Sequence, residues 1–527
     1  MRQKEHWTSQ IGIILAVIGS AVGLGNFLRF PGQMALYGGI AFMIPYVIAL
    51  LFLGLPLAWT EWALGRYGGV RGHNSAPGIL RSVIKRRRVT YAGSLFVMMP
   101  VVIFSYYIII ESWCLLYALQ YARGLMNLGS TQAYGESFAC LVGMSENGSV
   151  LTTIFSNPNF LCLVICFVLN FWLVYHGISK GIERFCVWAL PVLLVCSAII
   201  FIRVATLGNP TGAPGQSFFD GIKFVWSNAG SDKTILQHLA NPECWLAAAG
   251  QVFFSLSVGF GLVLTYASYL KDKDDVAASC ATAVGGNSFV EIVFGGMMIV
   301  PSALMFLGHA AINKENLGSS FTLGFQTLPS VFDLMPFGQF FGFLFFVLLF
   351  LAATTSSISM LQPAITLFED GLGLKRKGSI LLLGGLMLAA TLFVLYFSKG
   401  LVAMDTFDFW TANIFILIAA TFMILLFGWG LGIDTAMFEL EKGSQICVPW
   451  FVRYLIKYVS PIFLVTILAA WCWLKLPERI EEIRNDTTVQ LSMGILILIE
   501  LFFLWVVSRA IKRWDEAERK ETLTTTL

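Results

Sequence analysis

The sequence predicts an all-α polytopic membrane protein of about 12 transmembrane helices, built as two five-span halves followed by two further spans. Three observations carry this. The 527 residues are 57% hydrophobic and only 12% charged, where soluble domains average about a quarter charged, and the apolar residues come in runs long enough to cross a hydrocarbon core of about 30 Å. Lys and Arg collect in every second connection. The first and sixth runs, which open the two halves, are interrupted by the related stretches SAVGLG and SVGFG.

The runs lie near 9–36, 40–65, 89–122, 160–177, 185–207, 241–270, 276–308, 337–368, 378–397, 400–429, 447–474 and 488–511. The opening stretch has the basic start, apolar run and small residues of a secretory signal. Its apolar pattern nevertheless continues through Gly39 into a second span instead of opening into a soluble domain. Residues 1–207 form the first repeat, 208–429 the second, and 430–527 hold the last two spans and a charged tail.

With the N-terminus inside, the inner connections carry Arg2 and Lys4, the cluster KRRR at 85–88, Lys180 and Arg184, Lys271 and Lys273, the triplet 375–377, and a basic tail from Arg509 to Lys520. Both termini are therefore expected to be cytoplasmic, in a plasma membrane of the bacterial inner-membrane type. The KRRR cluster reads as a topology signal between two spans, so no nucleic-acid partner is expected; the lipid bilayer is the surrounding partner, and a homodimer stays open.

No extramembrane piece is large enough to hold an active site; the longest are about 124–158, 208–240 and 309–336. The ten cysteines are scattered, mostly within spans, and form no metal-like pair. Cys162 and Cys166, one helical turn apart, read as small packing residues. The histidines, His6, His73, His176, His238 and His309, lie apart with no nucleophile–base pairing. An enzyme is not expected, and the chemistry must lie among polar groups inside the bilayer, where such groups are costly.

The two interrupted spans point to where. Gly23 and Gly25 flank Leu24 in the middle of the first, with Asn26 next, and Ser257 to Gly261 interrupt the sixth. Glycine in a helix interior costs roughly 1 kcal/mol relative to alanine. Glycines also permit close helix packing in membranes, but interrupted segments at corresponding positions of two halves mark a binding site between inverted repeats. Unwound backbone leaves N–H and C=O groups that in lipid must find partners. Carbonyl ends of half-helices suit a cation and amide ends an anion, so a zwitterion with a metal ion would satisfy both. In the eighth span, AATTSSISMLQP (352–363) places four hydroxyls in a row. They could solvate their own helix, yet they are also the hard oxygen ligands Na⁺ requires.

These stretches resemble the neurotransmitter:sodium symporter family, in its bacterial amino-acid branch. The resemblance runs from KEHW at Lys4 to the eleventh span and is carried by AVGLGNFLRFP, GGIAFMIPY (38–46), EWALGRYGG (61–69), YYIIIESW (106–113), GISKGIERF (177–185) and TSSISMLQP (355–363). It implies the fold of the bacterial leucine transporter, an inverted-repeat core with discontinuous helices 1 and 6, and transport of an amino acid coupled to Na⁺.

Residue by residue, the resemblance implies two sodium sites. The first uses the Ala21 carbonyl, Asn26, Ser255 and Asn287, with the substrate carboxylate; Ser255 departs from the threonine of the leucine transporter but keeps a hydroxyl. The second uses the carbonyls of Gly19, Val22 and Ala352 and the hydroxyls of Thr355 and Ser356. The substrate carboxylate meets the amides of Leu24 and Gly25 and the phenol of Tyr107. Its amino group meets carbonyls of Ala21, Phe254 and Ser255 and the Ser257 hydroxyl. Ile103, Phe254, Ser257, Phe260, Ser356 and Met360 line the side-chain pocket.

That wall carries no fixed charge, so a neutral, aliphatic side chain suits it. Gly23 stands where amine carriers of the family hold an aspartate, which favours a substrate bringing its own carboxylate. Arg29 and Asp408 are expected as the outer gate, with Gln251 beside them, Tyr107 and Phe254 as an aromatic lid, and Asp405 as a rival partner for Arg29. Asp370 and the N-terminal segment, near Trp7 and Tyr269, are expected as the inner gate, with Lys4 replacing the family's arginine and losing its bidentate fork. Gly181 and Pro191 match a pattern linked to local unwinding of span 5, and equally to a plain kink. Glu291, four residues after Asn287 and on the same helical face, stands where chloride-dependent relatives carry serine, so its carboxylate replaces Cl⁻ and its protonation could return that charge.

The expected function is a chloride-independent, sodium-coupled symporter importing a neutral amino acid by alternating access. The alternatives are a proton-coupled amino-acid permease, which tends to place a basic residue near the second ion site, and a non-transporting amino-acid sensor, which needs an output surface. No Lys or Arg occupies the middle of the fifth span, and the tail after Arg509 is short.

Overall fold

The computed structural model describes residues 6–142, 157–228, 233–308 and 319–525. Lys4 and His309 lie outside the described residues. Among these, nine helices are long and apolar enough to cross a membrane, and the bent pair Gln10–Ala21 and Gly25–Leu36 makes a tenth span. They supply spans 1 to 3 (the bent pair, Ile40–Val70 and Arg87–Ala122), span 5 (Ile178–Thr206), and spans 7 to 12 (Val276–Leu307, Gly338–Leu372, Arg376–Tyr396, Lys399–Gly430, Val452–Leu474 and Thr487–Lys520). The remaining two expected runs are the shorter apolar helix Asn159–Tyr175, span 4, and the interrupted pair Pro242–Leu256 and Leu262–Ala267, span 6.

Span 8, a helix from Gly338 to Leu367 before a final π-helical turn, packs along span 3 and against spans 1 and 5. Spans 2, 6 and 7 close round the other side of span 1. The apolar sequence is buried at this centre, whereas Trp172, Trp188, Leu381, Ile462 and Trp505, on spans 4, 5, 9, 11 and 12, are exposed, as expected of side chains facing acyl chains. The longer connections are partly helical, with Thr131–Val142, which carries the exposed Cys140, and Leu328–Leu334. Cys162 and Cys166 are buried, in keeping with a packing role.

Two breaks position the site. In span 1 the helix ends at Ala21, Val22 turns to ψ 91°, and the chain resumes through a π-helical turn, Gly25–Arg29, at a bend of 48°. The Asn26 side chain caps the gap by accepting from the Gly23 N–H at 3.0 Å. In span 6 the helix ends at Leu256, and Ser257, Gly259 and Gly261 all adopt left-handed backbone, at φ 53°, 85° and 79°. Buried Glu61 of span 2 accepts from the Gly259 N–H at 2.8 Å and so holds this loop open.

Span 5 shows no unwinding between Gly181 and Pro191. Its first turn, Ile178–Glu183, is π-helical and the helix then runs unbroken from Arg184 to Thr206. Gly181 serves contact instead, since a Cβ there would lie 2.0 Å from the Leu173 carbonyl at the end of span 4.

Candidate substrate and ion site

Where the two breaks face each other they enclose a cavity lined by Ser20, Ala21, Gly23, Gly25 and Asn26 from span 1, Pro100, Ile103 and Tyr107 from span 3, Phe254, Ser257, Phe260 and Leu262 from span 6, and Ser356 and Met360 from span 8. The centre of a water-sized sphere fits over ≈ 30 Å³, room for about two waters. Nine of the eleven residues expected to touch substrate line this cavity. Leu24 and Ser255 do not: the Leu24 N–H points toward the Tyr107 hydroxyl at 3.5 Å, and Ser255 turns away from the cavity into a polar cluster behind it. Ser20, Pro100 and Leu262 were not expected. Ser20 enters through its carbonyl, which takes hydrogen bonds from Ser257 at 3.3 Å and Ser356 at 3.1 Å, a main-chain role that a residue's identity does not reveal.

The cluster behind the cavity is the expected first ion site. Asn26 Nδ2 donates to Asn287 Oδ1 at 2.9 Å and to Ser255 Oγ at 3.3 Å, and Asn287 Nδ2 donates to Ser255 Oγ at 2.7 Å. All three side chains are buried, so three neutral oxygen-bearing groups from spans 1, 6 and 7 converge where span 1 is broken. Beside them Glu291 accepts from Gln251 Nε2 at 2.5 Å and from the Tyr46 hydroxyl. Gln251 also reaches the Gly25 carbonyl at 3.4 Å. It therefore joins the Glu291 network to the span 1 break.

The expected second ion site lies between spans 1 and 8. A Cβ on Gly19 would touch the Thr355 side chain at 3.4 Å. The Thr355 hydroxyl reaches the carbonyls of Leu351 and Ala352 at 3.0 Å each, and Ser356 reaches those of Ala352 and Ser20. Gly19, Ala352, Thr355 and Ser356 are thus brought together, with Val22 at the end of the same helix turn.

On the outer side, Phe254 covers the cavity. Its ring lies 2.7 Å from where a Gly25 Cβ would be, and the Arg29 guanidinium stands over it at 5.1 Å from the centroid. Arg29 and Asp408 do not meet within 4.0 Å; Asp408 instead accepts from the Tyr106 hydroxyl at 2.7 Å. Asp405 lines a separate surface cleft with Arg479 and Glu482. On the inner side the N-terminal segment is seated: Trp7 Nε1 donates to the Tyr266 carbonyl at 2.9 Å, with the two rings edge to face, and His6 approaches the Tyr269 carbonyl at 3.1 Å. Asp370 caps the amides of Asn74 and Ser75, both at 3.0 Å.

Comparison with known proteins agrees with this fold. The sequence model of the Sodium:neurotransmitter symporter family matches residues 4–153 and 153–513. The chain is 29% identical to an uncharacterised sodium-dependent transporter of Methanocaldococcus jannaschii over 88% of this chain and 90% of that one. It is 29% identical to another, YhdH of Bacillus subtilis, over 88% and 96%, and 27% identical to the sodium-dependent serotonin transporter of Drosophila melanogaster over 88% and 76%. Among solved structures, that of MhsT in complex with L-phenylalanine superposes with a TM-score of 0.74 at 26% identity, covering 89% of this chain and all of that one. A multi-pass membrane chain with two facing helix breaks, matched by one family model over nearly its whole length, belongs to the Sodium:neurotransmitter symporter family.

Proposed function

We propose that the protein imports a small neutral amino acid together with Na⁺, by alternating access and without chloride. The observation that supports it most is the pairing of an uncharged, mostly apolar cavity with the Asn26–Ser255–Asn287 cluster directly behind it. A substrate side chain fills the apolar half, and its carboxylate turns toward the span 1 break to meet the Gly25 amide, the Tyr107 hydroxyl and one sodium. The amino group takes the carbonyls of Ala21, Phe254 and Ser255 at the two breaks, and the Ser257 hydroxyl. A charged side chain would be buried without a partner. The binding of phenylalanine by MhsT is consistent with an amino-acid substrate.

Coupling follows because the carboxylate is itself a ligand of the first sodium, so neither binds well alone. The second sodium bridges Gly19, Val22, Ala352, Thr355 and Ser356, tying span 1 to span 8. Its departure inward frees span 1 to move. Glu291 provides the negative charge near the first sodium that chloride would otherwise provide.

The test is uptake of radiolabelled neutral amino acids into proteoliposomes with and without a Na⁺ gradient, repeated with gluconate in place of chloride. Uptake should need Na⁺ and be indifferent to chloride, and Glu291→Ser should gain a chloride requirement. Decarboxylated analogues should compete at least about 2–3 kcal/mol more weakly, because their binding leaves amides unpaired and a sodium ligand missing. A parent that stops transporting in gluconate, or equal competition by an amine and its parent amino acid, removes this reading.

A further inference from the structure

The four consecutive hydroxyls of span 8 do not all face span 1. A helix turns about 100° per residue, and while Thr355 and Ser356 face span 1, Thr354 and Ser357 face the other way, onto Glu111 of span 3. Ser357 Oγ lies 2.6 Å from Glu111 Oε2 and Thr354 Oγ1 3.0 Å from Oε1. Asn170 of span 4 donates to both carboxylate oxygens, at 2.9 and 3.1 Å. Glu111 is wholly buried at the middle of the membrane-spanning bundle. The other groups within its reach are the thiols of Cys114 and Cys166 and, a turn away, the Tyr107 phenol; no Lys, Arg or His is among them in the described residues. A carboxylate at such a depth normally pairs with a cation. Here every partner is neutral.

Glu291 supplies the precedent within the same molecule: a second buried carboxylate, beside the first ion cluster and likewise held by neutral donors, Tyr46 and Gln251. Each candidate sodium site therefore has one buried acid next to it. We propose that Glu111 is a positioning residue of the second sodium site, with the transported Na⁺ across span 8 as its missing counter-ion. The carboxylate orients span 8 through Thr354 and Ser357, so that Thr355 and Ser356 face Gly19, and its charge attracts the cation from the opposite face of the helix. This rests on the proposed sodium-coupled function.

Sodium alone is the probe. The full chain in detergent is heated at increasing NaCl, with choline chloride holding ionic strength constant, and the concentration giving half of the Na⁺-induced stabilisation is read. Charges about 10 Å apart across a helix in a partly polarisable interior predict that Glu111→Gln raises this concentration about tenfold. The double variant E111Q/N170D, which exchanges acid and amide between spans 3 and 4 and so keeps the charge and an amide–carboxylate pair though not the bond to the Cys166 carbonyl, should return it to within about threefold of the parent. Should E111Q fail to give folded protein, the exchange variant still tests the idea. A tenfold shift in the exchange variant, with its charge retained, overturns the proposal, as does an E111Q protein that responds at the parent's concentration. A parent that does not respond to Na⁺ overturns the proposed function itself, which keeps the two failures distinct.

Discussion

The two breaks that make the site are built differently. In span 1 neither Gly23 nor Gly25 adopts a left-handed backbone. They are glycines because a Cβ would collide: at Gly25 with the Phe254 ring at 2.7 Å, and at Gly23 with the Ser356 and Tyr107 hydroxyls at 2.9 and 3.1 Å. In span 6 the requirement is conformational, with three residues of five at positive φ. One break is thus defined by what stands around it and the other by its own torsion angles. The difference predicts that substitutions in span 1 change binding, whereas those in span 6 change stability.

Gly261→Ala should have the largest effect, because it combines a left-handed residue with a Cβ 2.6 Å from the Phe96 carbonyl, which is main chain and cannot swing aside. Strain and overpacking of about 1–3 kcal/mol each should appear as a lower melting temperature in the absence of any ligand. Gly25→Ala should come next. It displaces the Phe254 lid and should weaken substrate binding by about 1–3 kcal/mol in a displacement assay, while ligand-free melting stays near the parent. Gly23→Ala meets hydroxyls that can rotate, so its loss of affinity should be the smaller of the two. Comparable losses of ligand-free stability from Gly25→Ala and Gly261→Ala would erase the distinction. Ser257→Gly should act in the opposite sense: relieving a non-glycine residue at φ 53° should stabilise the ligand-free protein by about 1 kcal/mol, with a loss of affinity from the missing hydroxyl that lines the cavity.

Much of this was legible in the sequence because breaks in membrane helices have few causes. The glycines located both interruptions, and the run of apolar segments located the spans. The cavity wall followed from the resemblance, residue by residue. What the letters did not disclose was direction. Ser255 adjoins the span 6 break yet turns its hydroxyl to Asn26 and Asn287, and Gln251 donates to Glu291. The four hydroxyls of span 8 look alike in sequence, and only the helix's rotation divides them between span 1 and Glu111. Tyr106 stands beside Tyr107 in the sequence, but its bond to Asp408 joins residues 302 positions apart, which no local pattern encodes.

Asp370 has a mechanical consequence. By holding the amides of Asn74 and Ser75, the C-terminal end of span 8 grips the connection between span 2 and the short helix Ala76–Val83, while Trp7 is seated on span 6. A rocking body needs a fulcrum that stays put while its levers swing. Both main-chain amides converge on one oxygen, Asp370 Oδ2, so the joint can pivot about that atom without sliding. In the proposed transport cycle the contact at Trp7 would release while the joint at Asp370 keeps span 2 in register, so that the same swing repeats.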